Sequence, residues 1–348
     1  MRNLKFIFSN VLVLLAILSM GEVTIFVLLN NPSIIPQDWV QSFRDYYMSK
    51  DREIAQYSPK LAAYDSALFY RLKPGEHSFN NREFNTRFTV NSYGFRDDES
   101  SVKKPKIIVL GDSFTMGWGV SDSECFSSVL ERYTKLSTLN TGVSSYGTAR
   151  EFEVFSGLEV DSLKYLVIQY DMNDNTENCA FSYGGNKYNP SSEEEYNHIR
   201  DLHAEAIAYF PFKFTSHFAR NYLESAYPEV FTEKETDKPE TQTQKEPIER
   251  PYITPTDAFL NVLTHSQIPD SVPIIVFQVG DGSTEILIDP LSKLISENDS
   301  IINNPIHVLD MQANLNESHY YLLDRHLKPE GHEIVARVLS DYLNELKN

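Results

Sequence analysis

Lys106-Ile-Ile-Val-Leu-Gly-Asp-Ser-Phe-Thr-Met-Gly-Trp-Gly-Val120 is the stretch on which the fold turns. Ile107 to Leu110 is apolar at every position, which reads as a short strand buried on both faces. It stops at Gly111, and a loop carrying Asp112 and Ser113 follows. The same rhythm recurs along the chain. Leu136–Asn140, Lys164–Tyr170, Pro273–Val279 and Ile306–Leu309 read as further strands. Asp122–Tyr133, Thr148–Leu158 and Pro329–Leu346 carry helical spacing, the last with proline in its first turn. Strands alternating with helices predict an α/β fold with a five-stranded parallel sheet covered on both faces.

The chain has 348 residues, of which 41% are hydrophobic and 12% aromatic, enough for a sizeable core, so overall disorder is excluded. Asp and Glu number 49 against 31 Lys and Arg, a net charge of −18. Such a surface repels phosphate backbones, so no nucleic-acid partner is expected. Two cysteines, Cys125 and Cys179, exclude a zinc finger, an iron–sulfur cluster or a disulfide scaffold. One disulfide between them is open, with reduced cysteines as the default.

Phe6 to Leu29 forms one apolar stretch of 24 residues, interrupted by Ser9, Asn10, Ser19, Gly21 and Glu22 among others. As a helix it spans roughly 36 Å, enough to cross a ~30 Å hydrocarbon core. Arg2 and Lys5 precede it and the next basic residue is Arg44, so the amino terminus is placed in the cytoplasm and the rest outside. A cleaved signal peptide is the rival, but the run outlasts a short h-region and no A-x-A-like site follows. Glu22 is costly at depth. It reads as an interfacial carboxylate, with contact to a partner helix as the alternative.

Three parts follow: an anchor over 1–31, a lead-in region over 32–104 packing on the domain after it, and that α/β domain over 105–348, which the next observations make the catalytic candidate. Within the lead-in, Phe84 to Arg96 reads as a strand and tight turn. An insertion at about 180–255 interrupts the catalytic domain. Its first part, Glu193 to Tyr227, is helical and aromatic, and insertions at this edge of a sheet commonly roof the site. Residues 232–250 hold six acids and four bases and read as a disordered loop.

Ser113 lies at the carboxyl end of the first sheet strand, where open α/β sheets bind ligands. Alone it reads as a helix N-cap. Asp324 and His326 lie two residues apart before the last helix, a spacing that lets a carboxylate fix an imidazole tautomer. With His332 they lack the helical pairing of a metal site, so no metal is expected. Gly142 follows the second strand and Asn173 the third; with Ser113 they offer three donors at adjacent strand ends, as an oxyanion hole requires. Trp118 and Tyr146, with Tyr170 and Tyr183, are candidates to stack on a bound ligand, Trp118 first among them.

These blocks, Gly111-Asp112-Ser113, Gly142, Asn173-Asp174 and Asp324…His326, resemble in order those of the SGNH (GDSL-like) hydrolases over 105–178 and 270–345. Two features depart from the family pattern. Asp171 stands where many members have glycine, and Asp324 precedes His326 by two residues rather than three. The resemblance implies a flavodoxin-like three-layer α/β/α sandwich and serine esterase chemistry without a cofactor. Its residues would be Ser113 as nucleophile, His326 as base, Asp324 as orienting acid, and Ser113, Gly142 and Asn173 as the oxyanion hole. Val90-Asn-Ser-Tyr-Gly-Phe-Arg-Asp97 resembles the lead-in of a membrane-anchored bacterial subgroup, which implies an acylated envelope or exported carbohydrate as substrate, with O-acetyl groups foremost. An O-acyltransferase uses the same residues. A lipase, for which no long apolar loop is visible, and a non-catalytic polysaccharide-binding protein are the remaining alternatives.

Overall fold

The structure, a computed structural model, describes residues 2–228, 252–280, 287–297 and 302–347. The charged loop read over 232–250 lies outside them. In chain order the helices begin with α1 (Arg2–Asn30) and α2 (Val40–Tyr46). Two antiparallel pairs follow, β1 (Ala62–Asp65) with β2 (Phe69–Leu72), and β3 (Gly75–Asn80) with β4 (Asn85–Val90). The alternating part of the chain then runs β5 (Ile107–Leu110), α3 (Ser113–Met116), α4 (Phe126–Thr134), β6 (Thr138–Asn140), α5 (Thr148–Phe155), β7 (Tyr165–Tyr170) and α6 (Met172–Tyr183). After α7 (Glu193–Ile207) and α8 (Lys213–Ala226) come α9 (Pro255–His265), β8 (Ile274–Gln278), α10 (Ile288–Glu297), β9 (Ile306–Asp310) and α11 (Pro329–Glu345).

Strands β5 to β9 form one all-parallel sheet in the order β6-β5-β7-β8-β9. That is the flavodoxin-like order, in which the first sheet strand lies between the second and third. The cause is visible in β5, whose four side chains are all fully buried. Ile107 and Val109 join Phe126, Val129 and Leu130 of α4 and Val335, Ala336 and Leu339 of α11. Ile108 and Leu110 join the cluster containing Phe152 and Phe155 of α5 and Phe259 and Leu263 of α9. Successive strand side chains point to opposite faces, so helices on both sides are the way to bury them. Each such side chain contributes about 1.5–3 kcal/mol, and truncating one to alanine costs about 2–5 kcal/mol. The three-layer α/β/α sandwich is therefore the architecture of this unit.

Local differences from the sequence reading have physical reasons. The helix expected over 122–133 is a short 3-10 turn at Asp122–Glu124 followed by α4. A one-turn helix, α3, starts at Ser113 itself, and Asp112 rather than Ser113 is its N-cap, accepting from Phe114 N at 2.9 Å.

The chain divides into two compact units. One comprises Glu53–Glu205 with Tyr252–Asn348 and holds the sandwich and all four strands of the antiparallel pairs. The other comprises Met1–Arg52 with Ala206–Pro251. The expected anchor over 1–31 and the start of the lead-in, up to Arg52, fall together in this second unit. Of the helical first part of the insertion, Glu193 to Tyr227, expected to roof the site, the residues from Ala206 on belong with the amino-terminal unit. Within that unit α1 provides one helix long and apolar enough to cross a membrane, Phe6–Asn30. Phe43 of α2 packs on Phe218 of α8 at 4.7 Å between ring centroids, and Tyr46 packs on Phe214 at 5.7 Å. Glu22 is 9% exposed and has its partners within this chain. It accepts from Thr215 N at 2.9 Å, Thr215 Oγ1 at 2.9 Å, Phe214 N at 3.4 Å and Tyr209 Oη at 3.2 Å. The partner helix is supplied by the same chain.

Candidate active site

The carboxyl ends of β5, β6 and β7 bring three of the predicted loops to the point where the strand order reverses. Ser113 Oγ lies 2.7 Å from His326 Nε2, and His326 Nδ1 lies 2.5 Å from Asp324 Oδ1. Asp324 is 1% and His326 8% exposed. A carboxylate accepting from Nδ1–H leaves the Nε2 lone pair free to accept the serine proton, which is the order a nucleophile, base and orienting acid require. Residues 213 apart in sequence are thus within hydrogen-bond reach. Arg325, between Asp and His, adopts a left-handed φ of 67°, and Tyr321 N donates to His326 O at 2.9 Å, closing a tight loop. That loop explains why the two-residue spacing works here.

The Ser113 turn is held from beneath. Asp112 N and Thr115 Oγ1 both donate to Gln169 Oε1 of β7, at 3.2 and 3.1 Å. Asp112 is buried, and burial together with the charges of Asp171 and Asp174 pushes its carboxyl well above the usual range. Asp174 is fully buried and accepts from Thr148 N, Thr148 Oγ1 and Asp171 N, tying α5 to the start of α6. Burial pushes its pKa up to about 8. The departure at Asp171 is structural in effect: its side chain caps α6, accepting from Met172 N.

The three expected oxyanion donors do not stand equally. Ser113 N sits in the first turn of α3. Asn173 Nδ2 gives one hydrogen to Tyr146 O at 3.2 Å and has a second to offer. Gly142 differs from expectation, because its N–H donates to Asn140 Oδ1 at 2.9 Å. Asn140 in turn donates to Thr115 O at 2.8 Å and Ser127 Oγ at 2.9 Å. Gly142 acts by absence of bulk: a Cβ there would lie 2.4 Å from Met116 N.

Trp118 and Tyr146 are corrected by burial. Trp118 is 3% exposed, enclosed by Phe79 at 4.4 Å and Phe84 at 6.1 Å, and 5.8 Å from His326. It forms a wall for the imidazole and has no free face for a sugar ring. Tyr146 is 1% exposed and donates to Tyr70 O, and Tyr170 is fully buried. A cleft of about 340 Å³ beside Asn173 is lined by the half-buried Tyr188 together with Phe69, Phe181, Arg150, Lys187 and Asn189. Arg150 is paired with Glu177, and its guanidinium lies 5.3 Å from the Tyr188 ring.

Sequence reasoning missed the residues that hold these loops from the lead-in. The Glu83 carboxylate accepts from three successive backbone N–H groups, Leu322 at 2.7 Å, Leu323 at 2.8 Å and Asp324 at 2.9 Å. Arg96, 4% exposed, donates to the carbonyls of Met116, Gly117 and Val120, just past Ser113. The Tyr-Gly-Phe-Arg motif was the available signal for Arg96; nothing local marked Glu83. Cys125 and Cys179 are both free. Burial pushes the Cys125 thiol up to about 11. Among the described residues no group of His, Cys, Asp and Glu could hold a metal ion.

No family model matches the chain, and no curated protein does. Solved structures similar to it include a lipolytic protein of the G-D-S-L family from Desulfitobacterium hafniense, 12% identical, covering 68% of this chain and 98% of its own, with a TM-score of 0.36. A carbohydrate esterase of family 3 from Talaromyces cellulolyticus is 10% identical over 70% and 97%, with a TM-score of 0.34. An acetyl xylan esterase from Butyrivibrio proteoclasticus is 12% identical over 76% and 67%, with a TM-score of 0.34.

Proposed function

We propose that this chain is a serine esterase of the SGNH type that removes O-acyl groups, acetyl foremost, from an envelope or exported carbohydrate. The observation that carries the reading is the hydrogen-bonded series Ser113, His326, Asp324 at 2.7 and 2.5 Å. In the reaction Ser113 Oγ attacks the ester carbonyl while His326 Nε2 takes its proton, and Asp324 stabilises the imidazolium. Negative charge developing on the carbonyl oxygen is met by the Ser113 N–H and the second hydrogen of the Asn173 amide. The leaving sugar oxygen takes the proton from His326. Water, deprotonated by the same imidazole, then releases the acyl group from Ser113. No step requires a cofactor.

The carbohydrate half of the reading is supported by the cleft beside Asn173. Its lining sets the hydrogen-bonding side chains of Arg150, Lys187 and Asn189 beside the rings of Phe69, Phe181 and Tyr188, a mixture of polar groups and aromatic faces that suits hydroxyl-rich rings. α1 is read as an anchor with its amino terminus in the cytoplasm, which places the enzyme on the outer face of that membrane.

The test is hydrolysis of p-nitrophenyl acetate by the full chain and by Ser113→Ala and His326→Ala. Turnover should fall by several orders of magnitude in both variants. Unchanged turnover in Ser113→Ala would sink the assignment. A wild type that transfers acetyl to an added sugar faster than to water would make it the transferase.

A further inference from the structure

The amino-terminal unit contains more than a single anchoring helix, and we infer that its α7–α8 turn and the face of α8 beside it form a lipid-docking surface seated in the outer boundary of the bilayer. This rests on reading α1 as a membrane span, and on nothing in the esterase chemistry. The depth follows from α1. A hydrocarbon core of about 30 Å takes about 20 residues of helix. Counted from Phe6, it ends near Ile25. Glu22 then lies about 4.5 Å inside its outer edge, and any tilt puts it deeper. Glu22 is bonded to Tyr209, Phe214 and Thr215, and the Thr215 hydroxyl also lies 3.2 Å from Leu18 O, one turn deeper still. The start of α8 therefore shares the depth of residues 18–22.

Two observations say that lipid meets this surface. The first is polar satisfaction. At that depth water cannot serve an ionised carboxylate or the open N–H groups of a helix start. Here each answers the other, and the Lys213 ammonium is likewise turned inward, onto Lys50 O at 2.6 Å and Ala206 O at 3.0 Å. The second is what faces outward. Tyr209 is 64% and Phe210 54% exposed at the turn, and Trp39 is 54% exposed beside an apolar cleft lined by Ile25, Leu28, Phe218 and Tyr222. Amphipathic aromatic rings at the level of the headgroups are the side chains that lipid interfaces favour. Polar groups turned inward and aromatic rings turned outward along the outer end of the span fit acyl chains and headgroups as the occupant.

The test uses the full chain in phosphatidylcholine vesicles with Trp39→Phe, leaving the buried Trp118 as a common background. In one variant Phe210→Trp adds a reporter at the turn, and in another Leu14→Trp adds one at mid-span. Lipids brominated near the glycerol or near the chain end quench a tryptophan they touch. The Phe210→Trp signal is expected to be quenched at least twofold, more by the shallow bromines than by the deep ones, and Leu14→Trp in the reverse order. Quenching of Leu14→Trp without Phe210→Trp overturns the docking surface and leaves the span. Quenching of neither overturns both.

Discussion

Removing the Glu83 side chain tests whether the lead-in region takes part in catalysis by position. Glu83→Ala deletes a carboxylate that accepts from Leu322, Leu323 and Asp324 N–H at 2.7, 2.8 and 2.9 Å. Hydrogen bonds to a charged acceptor are each worth about 1.5–3 kcal/mol. The gross figure overstates the effect. Burial is the largest influence on Glu83 and raises its pKa despite the three donors, so ionising it in the fold is penalised. Glu83 is also half-buried, and water can reach part of the vacated space. The difference of these effects is a loss of about 1.5–3 kcal/mol in the docking of the loop that carries Asp324 and His326. In p-nitrophenyl acetate hydrolysis that corresponds to a fall in kcat/KM of about 10–100-fold. Glu83→Gln keeps one acceptor oxygen and relieves the buried charge, so it should lose less than about tenfold. A positioning residue acts through what it positions, so the Glu83→Ala loss should shrink in an Asp324→Asn background. Activity of Glu83→Ala within about threefold of wild type, or equal losses in both backgrounds, would refute the reasoning.

Three further perturbations read other parts of the site. Arg96→Lys replaces a planar fork that serves three carbonyls and Asp122 with a single ammonium; thermal or urea unfolding should show a loss of about 2–4 kcal/mol, with esterase activity falling alongside. Gly142→Ala puts a Cβ 2.4 Å from Met116 N, a backbone atom that cannot swing aside; overpacking of about 1–3 kcal/mol should displace the nucleophile turn and cut kcat/KM more than tenfold at unchanged expression. His332 is fully buried, and burial, followed by the nearby Arg96 and His326, pulls its pKa down to about 3 from an ordinary 6.5. The unfolded chain therefore binds the proton more readily. Stability should fall as pH drops from 6.5 toward 3, by at most about 4 kcal/mol for this site, and His332→Gln should flatten that part of the curve.

What the sequence displayed and what it concealed divide along a physical line. Ile107 to Leu110 could be read as a central strand because burial on both faces leaves an uninterrupted apolar run, and such runs are local. Ser113, Asp324 and His326 were legible because each ends or precedes an element whose type was already clear. Trp118 looked like a ligand because a tryptophan between two glycines near a nucleophile is conspicuous. That Phe79 and Phe84 enclose it depends on a strand pair elsewhere in the chain. The N–H of Gly142 looked available because nothing in sequence shows which way the Asn140 carboxamide turns. The partner of Glu22 lies 193 positions away at Thr215, and local patterning carries no trace of it.

The same line explains why the lead-in was read as packing on the catalytic domain when its contacts are more particular. Glu83 holds the loop of the acid and base, and Arg96 holds the carbonyls beyond the nucleophile. Asp97 Oδ2 accepts from Asn140 N at 2.7 Å, Tyr70 Oη donates to Ser144 O at 2.6 Å, and Gln56 is bonded to both Ser144 and Ser145. Each of these is a side chain satisfying loop polar groups that regular structure leaves open. A chain cut at residue 105 would keep every residue of the proposed mechanism and lose these partners. It should retain the sheet, whose strands pair among themselves, while esterase activity falls far below that of a chain beginning at Glu53. Equal activity in the two would show that the loops hold their positions unaided, and the lead-in would then be a covering layer and no more.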